Sequence, residues 1–577
     1  MRCEGIYHKC GFNDCYALDD DHLVINVHTN KSIDKVYIYY EDPYINGCAA
    51  GSPWEGIEAS MSLEFELSHE NIWSITLEPK FKRLMYYFVV CSGDEKMYLY
   101  ENGLTNNDQY YKFYFKFGWM NDSDIFKVPQ WVKNTIWYQI FPERFCKSDR
   151  PKSHQLLDWY DYNSIDMKCF YGGDIEGACS KLEYLAKLGI TGVYFNPIFK
   201  STENHKYNTT DYTVIDEDFG DDKAMQAFIA KAHSLGIKVM IDAVFNHSGT
   251  NFFAWQDVIK KGRDSEYFDW FYVFDESNLT KKGNTKDGRY YTFAFVQEMP
   301  KLNTNNPKVV QYFLDITKDW LSRWDLDGIR FDVGNEISHS FIKTLRRHIK
   351  AIKPDIYLLG EIWMDSSMYM MGDEYDSVMN YPFLQSVGNF FLDETKSALD
   401  FKYGINYCYS LYNKQANEVI FNLLDSHDID RLLTRSKSYD KFIQQLAVLF
   451  TMPGSPCIYY GTEVALEGKN DPFNRLPMPW DHLEDEIPAK TLAIVKDLIK
   501  IRTFNSPLLG TSIKWGNCQD RLVSYVRNGN GNDKSIAVVI NANAQKVSQA
   551  IDNSKLIFSY KYEQGSLDAG GVVIYKM

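Results

Sequence analysis

The chain has 577 residues, which is too long for one hydrophobic core and predicts roughly three or four domains. Acidic side chains outnumber basic ones by 77 to 62, and the formal net charge of −15 argues against a nucleic-acid partner, because phosphate backbones select basic surfaces. The 11 cysteines form no Cys-x-x-Cys pair, and neither an apolar signal core nor a membrane-length apolar run occurs. We therefore expect a reduced, cytoplasmic protein without a membrane anchor.

Short apolar runs separated by Asp, Gly, Pro and Asn turns fill the first part of the chain. Runs such as 23–27, 36–40 and 85–90 have the spacing that is typical of a β-sandwich. An N-terminal β-sandwich domain is therefore predicted for residues 1–125.

From residue 126 onward, short apolar runs alternate with amphipathic stretches of helical length. Eight such runs occur, at 136–141, 193–199, 239–245, 328–333, 356–362, 378–381, 419–424 and 457–460. Eight alternating units predict an α/β fold, a (β/α)8 TIM barrel at 126–504, whose chemistry gathers at the carboxyl ends of its strands.

Two further regions are predicted from loop length and turn composition. About sixty residues separate the third run from a helix that begins near Pro307, and a connection of that length is usually functional. We expect residues 248–306 to form a loop domain inserted into the barrel. Alternating β runs return after residue 504, with an Asn- and Gly-rich turn at 528–532, and predict a C-terminal β-domain at 505–577.

Three carboxylates each follow a predicted barrel strand: Asp332, Glu361 and Asp428. Because an unpaired buried carboxylate is costly, three such placements indicate a cleft built for acid chemistry. Paired acids at strand ends are what a retaining glycosidase needs, with their carboxyl carbons about 5–5.5 Å apart. We expect that separation between Asp332 and Glu361.

Each acid also has a structural interpretation. Arg330 and Asp332 share one strand face, and they predict either a structural ion pair or a nucleophile kept ionised by the guanidinium. Glu361 shares a face with Trp363, where an apolar surround would favour the protonated carboxyl of a general acid. A bond from Glu361 to a helix N terminus is the alternative.

The combination favours a catalytic site. The three acids follow the fourth, fifth and seventh runs, and the segment 242–247 follows the third. Taken alone, Asp242 and Asn246 are better interpreted as turn or strand-end caps. Independent structural roles would not, however, select the end of a barrel at which enzymes work.

Several sequence motifs carry a family resemblance. They lie at 242–247, 328–336, 360–363 and 422–428, in the Met-Pro-Lys-Leu-Asn segment at 299–303, and at 138–145, 171–174, 205–207 and 459–463. By these motifs the chain resembles the α-amylase superfamily (glycoside hydrolase family 13), and within it the neopullulanase, cyclomaltodextrinase and maltogenic amylase group. The N-terminal region is similar to the starch-binding-type module that precedes the barrel in this group.

The resemblance implies a role for each site residue. Asp332 would be the nucleophile, Glu361 the general acid/base, and Asp428 the carboxylate that stabilises an oxocarbenium-like transition state. The substrate-binding residues implied in the same way are His247, Arg330, His427, Tyr207, Asn335, Glu336, Trp363, Asp471 and Arg475.

The chain also departs from the family pattern. Ile429 stands where Thr is frequent, Gly334 replaces a common Ala, and Asn335-Glu336 replaces the Lys-His pair of many starch-acting relatives. Glu336 is therefore expected either to contact leaving-group sugars or simply to begin a helix. Several relatives hold calcium in the loop after the first strand, but here that loop carries Lys147 where oxygen ligands are needed, so we expect no metal and no cofactor.

The function implied by the resemblance is hydrolysis of α-1,4-glucosidic bonds in cyclomaltodextrins, maltooligosaccharides and pullulan, with transglycosylation. The alternatives are a mainly transferring glucanotransferase, an α-1,6-acting oligosaccharidase, and a non-catalytic carbohydrate-binding barrel, whose expected mark is a missing carboxylate. Relatives dimerise through the N-terminal domain, so a homodimer is expected. Aromatic residues that would serve that contact, or would merely pack the core, are Trp54, Tyr39, Tyr40 and Tyr44.

Overall fold

The N-terminal part of the chain forms two antiparallel sheets around one core. The computed structural model describes residues 2–48, 54–107, 113–529 and 533–577, so positions 530–532 of the expected turn lie outside the described residues. The sheet orders are β1-β2-β6-β5 and β4-β3-β7-β8-β9, with β10 paired to β7. The strands are β1 (Cys15–Ala17), β2 (Leu23–Asn30), β3 (Lys35–Glu41), β4 (Ile57–Ser60), β5 (Ser62–Glu66), β6 (Glu70–Leu77), β7 (Leu84–Ser92), β8 (Glu95–Tyr100), β9 (Gly103–Thr105) and β10 (Phe115–Phe117).

Alternating side chains of these strands explain the sandwich. Leu23, Ile25 and Val27 of β2 and Ile38 and Phe88 of the facing sheet belong to one buried cluster. Period-two burial of this kind lets each sheet cover the apolar face of the other.

The predicted TIM barrel is confirmed, and all eight predicted strands are present. Its parallel order is β18-β17-β16-β15-β12-β11-β20-β19, and a bridge between Met379 and Phe421 closes the ring. The strands of this region are β11 (Trp137–Ile140), β12 (Gly192–Phe195), β13 (Phe199–Ser201), β14 (Thr209–Ile215), β15 (Lys238–Ala243), β16 (Gly328–Phe331), β17 (Tyr357–Gly360), β18 (Ser377–Val378), β19 (Phe421–Asn422) and β20 (Ser455–Tyr459), of which β13 and β14 form a separate hairpin.

Helices surround the barrel strands, and the first turns of several have capping side chains. Asn306 caps the helix that Pro307 begins, and Asp221 caps another, as expected for residues that satisfy free N–H groups. The helices are α1 (Pro142–Phe145), α2 (Ile175–Ser180), α3 (Leu182–Leu188), α4 (Asp222–Ser234), α5 (Phe253–Lys261), α6 (Pro307–Arg323), α7 (His339–Ile352), α8 (Tyr381–Leu392), α9 (Ala398–Ser410), α10 (Lys414–Val419), α11 (Leu432–Ser436), α12 (Tyr439–Thr451) and α13 (Glu486–Phe504).

The remaining two regions follow the sequence prediction. The long connection after β15 holds α5 and several short 3-10 turns. The C-terminal sheet has the order β21-β22-β23-β26-β24, with β25 also paired to β26. Its strands are β21 (Lys514–Trp515), β22 (Leu522–Arg527), β23 (Ile536–Asn541), β24 (Val547–Ser548), β25 (Leu556–Glu563) and β26 (Ser566–Lys576).

Candidate active site

The three predicted carboxylates lie at the same end of the barrel. Asp332 directly follows β16, Glu361 directly follows β17, and Asp428 lies in the loop after β19. Every residue of β16 and β17 is buried, because parallel barrel strands are covered on both faces. The side chains of Asp332, Glu361 and Asp428 are 8%, 7% and 31% exposed, respectively, so Asp428 is the most accessible of the three acids.

Arg330 joins three of the acids at this end. Its Nη1 atom lies 2.8 Å from Asp332 Oδ1 and donates to Asp242 Oδ1 at 2.9 Å and Oδ2 at 2.7 Å, while Nη2 lies 2.9 Å from Glu361 Oε2. Arg330 and Asp242 are both fully buried. One guanidinium therefore fixes the relative positions of Asp332 and Glu361, which belong to neighbouring strands.

The net pKa shift of Asp332 differs from the sequence-based expectation. Burial raises its pKa well above the usual carboxyl range, and the Arg330 guanidinium opposes that rise. Glu361 and Asp242 add to the rise through like-charge repulsion. The sequence identified the guanidinium but could not weigh it against desolvation and the other acids.

Glu361 is held by two N–H donors. Val333 N donates to Oε2 and Trp363 Nε1 donates to Oε1, each at 2.9 Å. Val333 adopts a left-handed conformation with φ 47°, which is strained for a β-branched residue and characteristic of functional sites. The Trp363 ring stacks on Tyr381 with centroids 4.0 Å apart and keeps 41% of its surface exposed.

His427 connects Asp428 to the rest of the site. The Gln139 amide donates to His427 Nδ1 at 2.9 Å, which leaves the ring proton on Nε2. That nitrogen lies 2.7 Å from the Tyr207 hydroxyl and 3.1 Å from Asp428 Oδ2. Burial lowers the pKa of His427 well below its usual value, and the nearby cations add to this, so the imidazole is a neutral donor.

Tyr207 and His247 line the same cleft. The Tyr207 ring is parallel to that of His427, and its hydroxyl donates to Asp242 Oδ2 at 3.0 Å. His247 stacks on Phe293 of the inserted loop, and burial lowers its pKa to about 3. Within the described part of the chain His247 Nε2 has no hydrogen-bond partner, so it is free to bond a ligand hydroxyl.

The remaining predicted residues lie around this centre. Asn335 and Glu336 belong to the 3-10 turn Gly334–Glu336, where the Tyr369 hydroxyl donates to the Asn335 carbonyl at 3.1 Å. Arg475 lies 2.9 Å from Asp471 and 3.5 Å from Asp428. Its Nε atom also donates to the His427 carbonyl at 2.9 Å.

Sequence reasoning missed several residues that build the site. Taken alone, Asp242 is predicted to be a cap, but both of its carboxylate oxygens accept from Arg330 Nη1, and Oδ2 also accepts from Tyr194. No local sequence pattern shows this pairing, because it depends on strand register: Asp242 and Arg330 are direct neighbours across β15 and β16. Lys301 was not assigned a role either, although it bonds Asn246 and lies 3.3 Å from Glu336 Oε2.

The loop after β11 does not fit a calcium ion. Asp174 Oδ2 accepts from the Ser148 hydroxyl at 2.7 Å and lies 2.5 Å from Lys152 Nζ, while Oδ1 accepts from Gly177 N at 2.6 Å. Calcium needs six to eight oxygen ligands, and here an ammonium already neutralises the buried carboxylate. Among the residues that the structure describes, no group of three or more His, Cys, Asp or Glu side chains is arranged to hold a metal.

Comparisons with known proteins agree with this architecture. A family model described as Alpha amylase, catalytic domain matches residues 139–503, and one described as Alpha amylase, N-terminal ig-like domain matches residues 1–121. In the described residues, no helix is long and apolar enough to cross a membrane.

Two relatives and one solved structure are similar over nearly the whole chain. The chain is 39% identical to the Intracellular maltogenic amylase of Bacillus subtilis (strain 168), over 91% of this chain and 89% of the relative. It is 36% identical to Neopullulanase 2 of Thermoactinomyces vulgaris, over 95% and 92% of the two chains. A solved structure named Cyclomaltodextrinase matches with a TM-score of 0.89 at 34% identity, covering 100% of this chain and 98% of its own.

Proposed function

This chain belongs to the α-amylase family of glycoside hydrolases, and from that premise we propose that it is a retaining α-glucan hydrolase. Its substrates are cyclomaltodextrins, maltooligosaccharides and pullulan, in which it cleaves α-1,4-glucosidic bonds and transfers part of the product to sugar acceptors. Relatives named for maltogenic, cyclomaltodextrin and pullulan activities support this substrate class. The observation that carries the proposal is the bridging of Asp332 and Glu361 by one guanidinium.

In the first step Asp332 attacks the anomeric carbon while the Glu361 carboxyl gives its proton to the departing glycosidic oxygen. The glycosidic bond breaks, and a glucosyl ester forms on Asp332. In the second step Glu361, now a carboxylate, takes a proton from water or from a sugar hydroxyl, whose oxygen attacks the same carbon and releases Asp332. Two inversions retain the anomeric configuration.

Asp428 and His427 act on the sugar ring in this mechanism. Asp428 is the most accessible of the three catalytic carboxylates, and its negative charge stabilises the positive charge that develops on the ring. Neutral His247 donates to a ring hydroxyl through Nε2, which has no partner among the described residues, and neutral His427 keeps Asp428 and Tyr207 beside the same ring through its own Nε2–H. Burial lowers the pKa of both imidazoles, so both stay uncharged near neutral pH. The Tyr207 ring provides a flat apolar face for the same glucose.

A larger share of glycosyl transfer is the second candidate function. Trp363 keeps an exposed aromatic ring, and its Nε1 atom donates to Glu361, the carboxyl that activates the acceptor in this mechanism. Sugar rings pack on such faces through their C–H groups, so a bound acceptor sugar would compete with water for the glucosyl ester.

The test is a product profile with matched variants. Wild-type protein on β-cyclodextrin, maltotriose and pullulan should give maltose-sized products and, from pullulan, panose, with the α-anomer formed first by proton NMR. Asp332→Asn and Glu361→Gln should each lower kcat by about a thousandfold or more, while Asp425→Asn, a buried acid outside the Arg330 cluster, should retain catalysis. An initial β-anomer, or an active Asp332→Asn protein, contradicts the proposal.

Two further parts of the proposal concern the cellular location and the oligomeric state of the enzyme. A cytoplasmic location is supported by the relative named Intracellular maltogenic amylase. A homodimer through the N-terminal domain is supported by exposed aromatic surface there, such as Tyr44, which is 54% exposed. Light scattering at micromolar concentration should give twice the mass of 67.2 kDa, and Tyr44→Ser should lower the fraction of dimer.

A further inference from the structure

A cavity of about 560 Å³ lies far from the catalytic cleft, against helix α7. It lies at the amino ends of two barrel strands, because Asp355 precedes β17 and Asp373 precedes β18, whereas Glu361 follows β17. We call it the α7 pocket. Its basic lining residues are Lys127, Lys343, Arg346, Arg347 and Lys350, and its acidic ones are Asp355 and Asp373.

Two of these cations share one buried carboxylate. Arg346 Nη1 lies 2.6 Å from Asp376 Oδ1, and Lys350 Nζ lies 2.8 Å from Asp376 Oδ2. Asp376 is fully buried, and its Oδ2 also accepts from Leu358 N at 2.9 Å. Its single negative charge therefore does not neutralise both basic groups.

Arg347 adds a third positive charge to the same helix. It is exposed, and no carboxylate lies within ion-pair distance of it in the described ranges of the chain. Positions 343 and 347, and positions 346 and 350, are four residues apart, so like charges face each other along one side of α7. Lys343 lies 2.8 Å from Asp373 and 3.7 Å from Glu374, and Lys127, which lies outside α7, pairs with Asp122.

This arrangement is unusual in a chain with a net charge of −15, because local repulsion between cations is tolerated most easily where an anion binds. Arg side chains present a planar fork of N–H donors that matches phosphate oxygens, and lysines add point charges. The cavity volume lies within the range of small-molecule sites. A long polyanion is disfavoured by the acidic remainder of the surface.

We propose that the α7 pocket binds a small phosphate-bearing molecule, such as inorganic phosphate, pyrophosphate or a sugar phosphate. Arg347 and Lys343 provide the contacts at the mouth, and Arg346 and Lys350 provide positive charge at the base. Since the pocket and the cleft lie at opposite ends of the barrel, the protein can hold this ligand and a glucan at the same time.

The test is isothermal titration calorimetry of the full chain with inorganic phosphate, pyrophosphate and glucose 6-phosphate, each at constant ionic strength. We expect saturable one-site binding of at least one probe with a Kd of about 1 mM or below. Tighter binding of glucose 6-phosphate than of inorganic phosphate would identify a sugar phosphate as the occupant, and the reverse order would identify the free ion.

Variants separate this site from diffuse attraction to basic surface. Arg347→Gln and Lys343→Gln should each weaken binding by about tenfold, and both should fold because both side chains reach solvent. Arg263→Gln is the matched control, since this exposed arginine lies in the inserted loop and should leave the affinity unchanged. The absence of saturable binding for all three probes, or wild-type affinity in both pocket variants, overturns the proposal.

Discussion

Arg330 determines the electrostatics of the cleft at the level of single residues. Three carboxylates, those of Asp242, Asp332 and Glu361, lie within about 3 Å of its one positive charge. Like charges this close in a buried site cannot all ionise cheaply, so the cluster retains a proton near neutral pH. The two-step mechanism needs one protonated and one ionised carboxyl in this cluster, and an excess of carboxylates over cations favours that mixed state.

Replacing Asp242 by Asn tests this argument. We expect kcat to fall by about a hundredfold because Arg330 loses its bidentate partner and Asp332 loses its fixed position. Asp242 also raises the pKa of Asp332, so its removal should lower that pKa and move the acidic limb of the kcat/KM profile to lower pH. The pH dependence of maltotriose hydrolysis measures both effects.

The control for this prediction is Asp425→Asn. Asp425 is an equally buried acid that accepts from Leu432 N and the Thr462 hydroxyl and does not contact Arg330. The Asp425→Asn substitution should lower thermal stability while leaving the acidic limb of the kcat/KM profile in place. A shift of similar size in both variants would show that the effect is not specific to the Arg330 cluster.

The sequence contained part of this site. Arg330 and Asp332 are two residues apart on one strand, and strand-end positions identified Glu361 and Asp428, because these relations are local. The Asp242 pairing depends on the register between two strands that are 88 positions apart, which no local pattern encodes. The direction of the pKa shift of Asp332 depends on burial, which exists only after the barrel closes.

At the level of elements, the eight strands were predictable because apolar runs separated by helices have few other arrangements. Strand ends were less predictable: β18 and β19 contain two residues each, although the corresponding apolar runs are longer. One of the amphipathic stretches between these strands is divided at Lys181, where α2 ends and α3 begins. The apolar side chains of α3, Leu182, Leu185 and Leu188, are all buried.

The loop after β11 provides a prediction about metals. Chelation with EDTA should leave the melting temperature unchanged, because Lys152 already neutralises Asp174. Lys152→Ala should destabilise the protein by about 3–5 kcal/mol, as expected when one member of a buried pair is removed. Lys147→Ala, in the same loop, is the control and should leave the melting temperature nearly unchanged. Differential scanning calorimetry of the EDTA-treated wild type and of both variants measures these effects. A lower melting temperature on chelation would contradict the prediction.

His8 makes the stability of the N-terminal sandwich depend on pH. Its ring nitrogens lie 2.6 Å from the Asn26 carbonyl and 2.8 Å from the Tyr86 hydroxyl, and burial lowers its pKa to about 4. The unfolded chain binds a proton at this position below pH 6.5 and the folded chain does not until about pH 4. The free energy of unfolding therefore falls as the pH falls through this window, by about 3 kcal/mol in total.

Substituting His8 by Gln should flatten this part of the stability curve. Urea unfolding between pH 4 and 7 measures it, and the difference between variant and wild type removes the contributions of neighbouring groups such as Asp14 and His28. His69→Gln is the control, because His69 is exposed. Parallel curves for wild type and His8→Gln would contradict the assignment.

At the level of the whole molecule, helix α9 joins all three regions. Lys402 lies 2.5 Å from Glu66 of β5, and Gln415 of the next helix donates to the Ala17 carbonyl at 2.9 Å. On the other side, the core of the C-terminal sheet is continuous with that of the barrel, whereas the N-terminal sandwich has a separate core. Polar contacts from α9 and α10 therefore contribute to the N-terminal attachment, together with the apolar contact of Phe65 with the barrel core.

Asn406 of α9 contacts both neighbouring domains. Its Nδ2 donates to the Glu66 carbonyl at 2.9 Å, and its Oδ1 accepts from Trp515 Nε1 at 2.8 Å, with the side chain almost fully buried. Asn406→Leu leaves both partners without a bond, at about 1–3 kcal/mol each. We expect calorimetry to show the N-terminal sandwich unfolding in a separate, earlier transition, while Lys402→Gln, which removes only the partly exposed ion pair, should keep one transition. A single unshifted transition in Asn406→Leu would mean that apolar contacts alone hold the domains together.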